Sequence, residues 1–152
     1  MTLDKDGRIL LSVPELVAIS RRKLARITAA PDVSDVSEKG FTKNIELMGF
    51  PIQLFGAYDA IEGSELTLSL KLSQDKSAPD REDVKQLRGE LFILGYLLAE
   101  EKEFSEVRLT AVYEGKSCPR KAESETVPRS TLKKFYQSCI SSLERYGLPE
   151  LK

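Results

Sequence analysis

Between Glu65 and Ser73 the chain alternates without a break. Leu66, Leu68, Leu70 and Leu72 fall on one parity; Glu65, Thr67, Ser69 and Lys71 fall on the other. Successive strand side chains point to opposite faces of a sheet. This segment is therefore a strand with one apolar face and one polar face, and Ser69 and Lys71 share the polar one. A half-apolar strand demands neighbouring strands beside it and an apolar layer over its leucines, which restricts the chain to sheet-containing folds.

The flanking segments supply both. Ser12 or the Val13-Pro14 step opens a helix with Leu16, Ile19, Leu24 and Ile27 as its apolar stripe. The stretch from Ala29 to Gly40 is polar and turn-rich, a loop that includes Pro31-Asp32. Strand character begins near Thr42, with Ile45 and Leu47 alternating. A turn at Gly49-Phe50-Pro51 leads into a second strand from Ile52 to Ile61. Ser77-Ala78-Pro79-Asp80 then stops the alternating strand and caps a helix from about Arg81 to Lys102. Val84, Leu87, Leu91, Leu94 and Leu98 form its stripe, and Gly89 and Gly95 either weaken the helix or permit close packing on the sheet. A fourth strand runs from Glu106 to Tyr113, with Val107, Leu109 and Ala111 on one face. After a loop to Pro128, Ser130 caps a last helix with Leu132, Tyr136, Cys139 and Leu143 inward, ended by Gly147. The order α-β-β-β-α-β-α predicts an α/β fold: a mixed central sheet of about four strands flanked by helices, in a single domain over residues 1–152.

Composition removes several chemistries. With 152 residues, 41% of them hydrophobic, the chain can bury a core. It has no histidine and only two cysteines, Cys118 and Cys139, which excludes a structural zinc site, an iron–sulfur cluster, and Ser-His-Asp or Cys-His catalysis. Cys139 falls on an apolar helix face and reads as a buried thiol; Cys118 falls in a loop and reads as exposed. Any bound metal must be held by oxygens, which means Mg2+ or Mn2+. The net charge of −1 makes the chain no general polycation, so phosphate binding would rest on local clusters. No leader-like segment and no apolar run of membrane-spanning length is present, so the expectation is a cytoplasmic protein without membrane contact.

Phosphodiester hydrolysis by a divalent metal needs carboxylates to hold the ion and a cation near the attacking water or the developing charge. Asp59 and Lys71, on adjacent strands, could border one cleft. On spacing alone they could equally decorate solvated strand faces. The neighbouring residues add to the first reading. Gly56-Ala57-Tyr58-Asp59, Ser69-Leu70-Lys71 and the helix start at Gln86 follow the order of G-x-x-D, (D/E)-x-K and Q-x-x-x-Y blocks. In these, and in the Val107–Tyr113 strand, the chain resembles the RecB-like branch of the PD-(D/E)XK nucleases. Leu11-Ser12-Val13-Pro14-Glu15-Leu16 and Ser20-Arg21-Arg22-Lys23-Leu24 are similar to the opening of the CRISPR-associated RecB-like exonucleases, and Gly147-Leu148-Pro149 to their tail.

The resemblance implies a restriction-endonuclease-like fold and a metal-dependent DNA nuclease. Asp59 would be a metal ligand, Lys71 the cation that orients or activates water, and Gln86 a residue beside the cleft. It also implies a partner, single-stranded or branched DNA, and work within a helicase or nucleic-acid-processing complex. The departures are specific. Ser69 stands where the family has its second acid, Glu90 where it has a tyrosine, and Ser20 where the exonucleases have a cluster cysteine. Glu82, Gln86 and Glu90 are four residues apart and share one helix face. Glu82 or Glu90 is thus the candidate substitute ligand, although each also reads as a helix-surface acid, with Glu82 favoured there by the helix dipole. Arg21, Arg22, Lys23 and Arg26 could grip a nucleic-acid backbone or simply form a solvated helix face. The alternative to an active nuclease is an inactive nuclease-fold module that binds nucleic acid or a protein partner.

Overall fold

The computed structural model describes residues 2–3, 7–21 and 40–147. They form eight strands: β1 (Thr2–Leu3), β2 (Ile9–Ser12), β3 (Gly40–Leu47), β4 (Phe50–Ala57), β5 (Ala60–Glu62), β6 (Glu65–Lys71), β7 (Glu106–Gly115) and β8 (Cys118–Pro128). Three helices, α1 (Val13–Ser20), α2 (Arg81–Lys102) and α3 (Arg129–Ser142), are followed by a π-helical turn at Leu143–Gly147. The class is α/β. The strands make two mixed sheets rather than one, in the orders β1-β2-β4-β3 and β5-β6-β7-β8. The chain divides into two compact units, residues 1–57 with 136–152, and residues 58–135. Among the described residues no helix is long and apolar enough to cross a membrane.

The first unit holds the β1–β4 sheet. Ser12 opens α1 through a reciprocal cap: the Glu15 N–H donates to Ser12 Oγ at 3.2 Å and the Ser12 N–H donates to Glu15 Oε1 at 3.4 Å. Leu24 and Ile27 of the predicted stripe lie outside the described residues, as does the predicted loop around Pro31-Asp32. Leu16 and Val17 are buried with Ile9, Leu11, Ile52 and Leu54. The hairpin between β3 and β4 turns at Met48 and Gly49, both with positive φ (52° and 82°). Left-handed backbone at both central residues is the two-residue hairpin geometry that matches strand twist. The turn therefore sits one step earlier than predicted, and Phe50 and Pro51 belong to β4.

The expected strand from Ile52 to Ile61 is two strands in two sheets. The break falls at Tyr58-Asp59, where the Asp59 N–H donates to the Thr67 carbonyl at 3.1 Å and ties the chain to β6 instead. Aspartate is a poor strand former because its short carboxylate competes for backbone N–H groups. Here it does so across the gap.

In the second unit β6 runs parallel to β7, in register from Glu65↔Arg108 to Lys71↔Glu114. Leu66, Leu68, Leu109, Ala111 and Tyr113 share one buried face. α2 covers it. A Cβ on Gly95 would come within 2.8 Å of Leu109 Cδ2, so the absence of a side chain sets the helix-to-sheet distance. Asp80 caps α2, accepting the Asp83 N–H at 2.8 Å. The predicted loop before Pro128 is instead the edge strand β8, antiparallel to β7. Residues 119–126 are all exposed, so no apolar alternation marks them; pairing with β7 holds them extended, and Arg88 of α2 donates to Glu125 at 2.9 Å. Cys118 begins this strand and is buried rather than exposed.

Candidate functional site

Alternation in β6 places Ser69 and Lys71 on one face, and register places Val112 and Glu114 of β7 beside them. Asp59 arrives at the outer edge of the same strand. Its Oδ2 accepts the Ser69 N–H at 2.5 Å. Asp59, Ser69 and Lys71 are all exposed. The geometry thus brings together the three positions that the sequence singled out on these strands. Among the described residues the Lys71 side chain has no hydrogen-bond or ion-pair partner.

The α2 residues stand elsewhere. Val84, Arg88 and Leu91 line a cavity with Leu109, Ala111 and Tyr113, so this side of α2 faces the leucine side of the sheet. Ser69 and Lys71 project from the other side of that sheet. At 100° per residue, Glu82 lies nearly opposite Leu91 on the helix, Gln86 next to it, and Glu90 at the flank. None of the three is directed at the space beside Ser69. Gln86 and Glu90 are instead brought to each other, Gln86 Nε2 donating to Glu90 Oε2 at 3.1 Å. Burial pushes the Glu90 carboxyl up from 4.5 to about 7, against the pull of that bond. Glu82 is exposed in the first turn.

Arg21 is half-buried at the end of α1, where its N–H donates to the Val17 and Ala18 carbonyls at 3.1 and 3.2 Å. Arg22, Lys23 and Arg26 lie outside the described residues. Lys133 and Lys134 on α3 are exposed, as are Lys116, Arg120 and Lys121 around the β7–β8 turn.

One residue escaped the sequence reading. Glu114 is in register with Lys71 and on its face. The signal was the even parity of β7, which continues past the predicted end at Tyr113. Among the described residues no group of three or more His, Cys, Asp or Glu side chains is arranged to hold a metal ion. The oxygens at this end of β6 are the right kind for Mg2+ or Mn2+. Their number falls short among the described residues: Asp59 bonds β6 at the Ser69 N–H, and no second carboxylate is shown on Ser69.

No family model matches the chain, and no curated protein matches it. Among solved structures it is similar to one described as "Crystal structure of SSO0001", with 14% sequence identity and a TM-score of 0.50 over 97% of this chain and 82% of that one. At that identity the likeness speaks to the fold alone.

Proposed function

We propose that the chain is a RecB-like nuclease-fold domain that binds DNA at the Asp59–Lys71 end of β6 and has lost hydrolysis with its second acidic ligand. The observation that carries this reading is the division of faces: Ser69 and Lys71 project from one side of the sheet, and α2, with Glu82 and Glu90, covers the other. A carboxylate from α2 does not reach the place that Ser69 leaves empty of charge. Asp59 is retained for the strand, as the acceptor of the Ser69 N–H. Lys71, exposed and unpaired among the described residues, keeps a point charge available for a phosphate. Such a contact positions a backbone without reading sequence, and salt weakens it.

A second reading, an active Mg2+- or Mn2+-dependent deoxyribonuclease, draws on Glu114. That acid stands beside Lys71 on the correct face and could complete the pair that Asp59 begins. One experiment separates the two. Purified protein is incubated with single-stranded and branched DNA in Mn2+, and both binding and cleavage are followed. Salt-sensitive binding without cutting is the expected result. Cutting that disappears in Asp59→Ala and in Glu114→Gln would establish the second reading instead.

A further inference from the structure

The strand β8 ends its sheet, and its outer edge carries a usable pattern. Arg129 N–H donates to the Ser105 carbonyl at 2.8 Å, which makes 105 and 129 a hydrogen-bonded pair of the antiparallel ladder. Such pairs recur every second residue, so Val127, Glu125, Glu123 and Lys121 direct their backbone groups to β7. Thr126, Ser124 and Ala122 direct theirs outward. Two features agree. Pro128, which has no N–H to give, falls on the outward parity. The hydroxyls of Thr110 and Ser124 meet at 2.8 Å, as side chains do in the closer, non-hydrogen-bonded pairs. The whole stretch 119–126 is exposed.

An exposed edge accepts another strand whose outward groups match. We propose that the partner for this edge is β8 of a second copy of the chain, antiparallel, with Ala122 on the twofold axis. Matching outward groups requires outward residues to face outward residues, which leaves few registers. With Ala122 opposite Ala122, Lys121 faces Glu123 of the other copy, twice. A shift to Glu123 opposite Glu123 sets two acids together on the axis, and the Glu125 that Lys121 then faces is already held by Arg88 at 2.9 Å; a shift to Lys121 opposite Lys121 sets two lysines together. Opposite charges across a strand pair stabilise and like charges repel. The charges that deter unrelated strands therefore favour the chain's own edge, with the Ala122 register the one that sets no like charges opposite each other. The product is one continuous sheet through both copies.

Charge reversal tests the register in the intact chain. Wild-type protein is followed by sedimentation velocity at low ionic strength over a range of concentrations, and a dimer is expected that salt weakens. Both variants also carry Glu125→Gln, which removes the third charge on that face of the strand; Lys121→Glu then places two acids there, and Glu123→Lys two lysines. Each variant alone should lose the dimer. An equimolar mixture of the two should restore it as a heterodimer, because every facing pair is again opposite in sign. All three substitutions lie on exposed positions, and recovery on mixing shows that each variant is folded. A wild-type protein that stays monomeric, a dimer that survives in both single variants, or a mixture that fails to associate overturns the proposal. In each of these cases the edge charges act only as protection.

Discussion

Asp59 has two roles that substitution can separate. As acceptor of the Ser69 N–H it closes the edge of β6, and it is an exposed acid bonded two residues before Lys71. Asp59→Ala should cost at most about 1.5 kcal/mol in denaturant unfolding, since water can replace an exposed acceptor. Lys71→Ala should leave stability unchanged. It should lower the salt slope of single-stranded DNA binding by about 0.7, the share of one phosphate contact. Glu90 gives a residue-scale prediction of another kind. Its folded pKa of about 7 lies above the ordinary 4.5 because burial penalises the charge. Between those values the native state holds a proton that the unfolded chain has released, so stability falls as pH rises through that window. Glu90→Gln should remove the fall, raising the melting temperature at pH 8 and leaving it little changed at pH 4, as thermal unfolding at the two pH values would report.

At the scale of elements, the start of α2 and the end of β7 are the points most exposed to test. Lys76 donates to Asp80 at 2.8 Å and to Asp83 at 2.9 Å, bridging both members of the cap. The Lys76 ammonium, and then the Asp83 N–H, hold Asp80 down from 3.8 to about 2. A carboxyl depressed in the folded state stabilises above its unfolded pKa and loses that contribution as pH falls through the folded one. Helix content should thus decline between pH 4 and pH 2, and Lys76→Ala should shift the decline upward, which circular dichroism would follow. Gly115 meets backbone instead. A Cβ there would lie 2.9 Å from the Leu72 carbonyl oxygen, which no rotamer can relieve. Gly115→Ala should cost roughly 1–3 kcal/mol by the usual penalty for overpacking.

The same elements show what the sequence made legible. α2 was readable to its bounds because the Asp80 cap, the leucine stripe and the basic end agree with one another. The polar face of β6 was readable from parity. β8 was not, since an edge strand with eight successive exposed residues has neither face to bury. The split at Asp59 was hidden for a different reason: the residues on both sides favour strand, and the break takes only Tyr58 and Asp59. The face on which α2 lies is a tertiary fact with no local signature, so Glu82 and Glu90 read as candidates on spacing that the packing does not support.

The whole molecule divides into two units, each with its own sheet, and the end of β6 proposed to contact DNA lies in the second. In the proposed function, one carboxylate is missing from an otherwise standing nuclease frame. Ser69→Asp would set a second acid beside Asp59. Without metal the two like charges should lower the melting temperature, and Mn2+ should raise it again by binding the native state. The most direct measurement is Mn2+-dependent cleavage of single-stranded DNA by wild-type protein and Ser69→Asp side by side. The prediction is binding without cleavage for the wild type, and cleavage that appears in Ser69→Asp and vanishes when Lys71→Ala is added. Cleavage by the wild type at a rate that Ser69→Asp does not increase would contradict it.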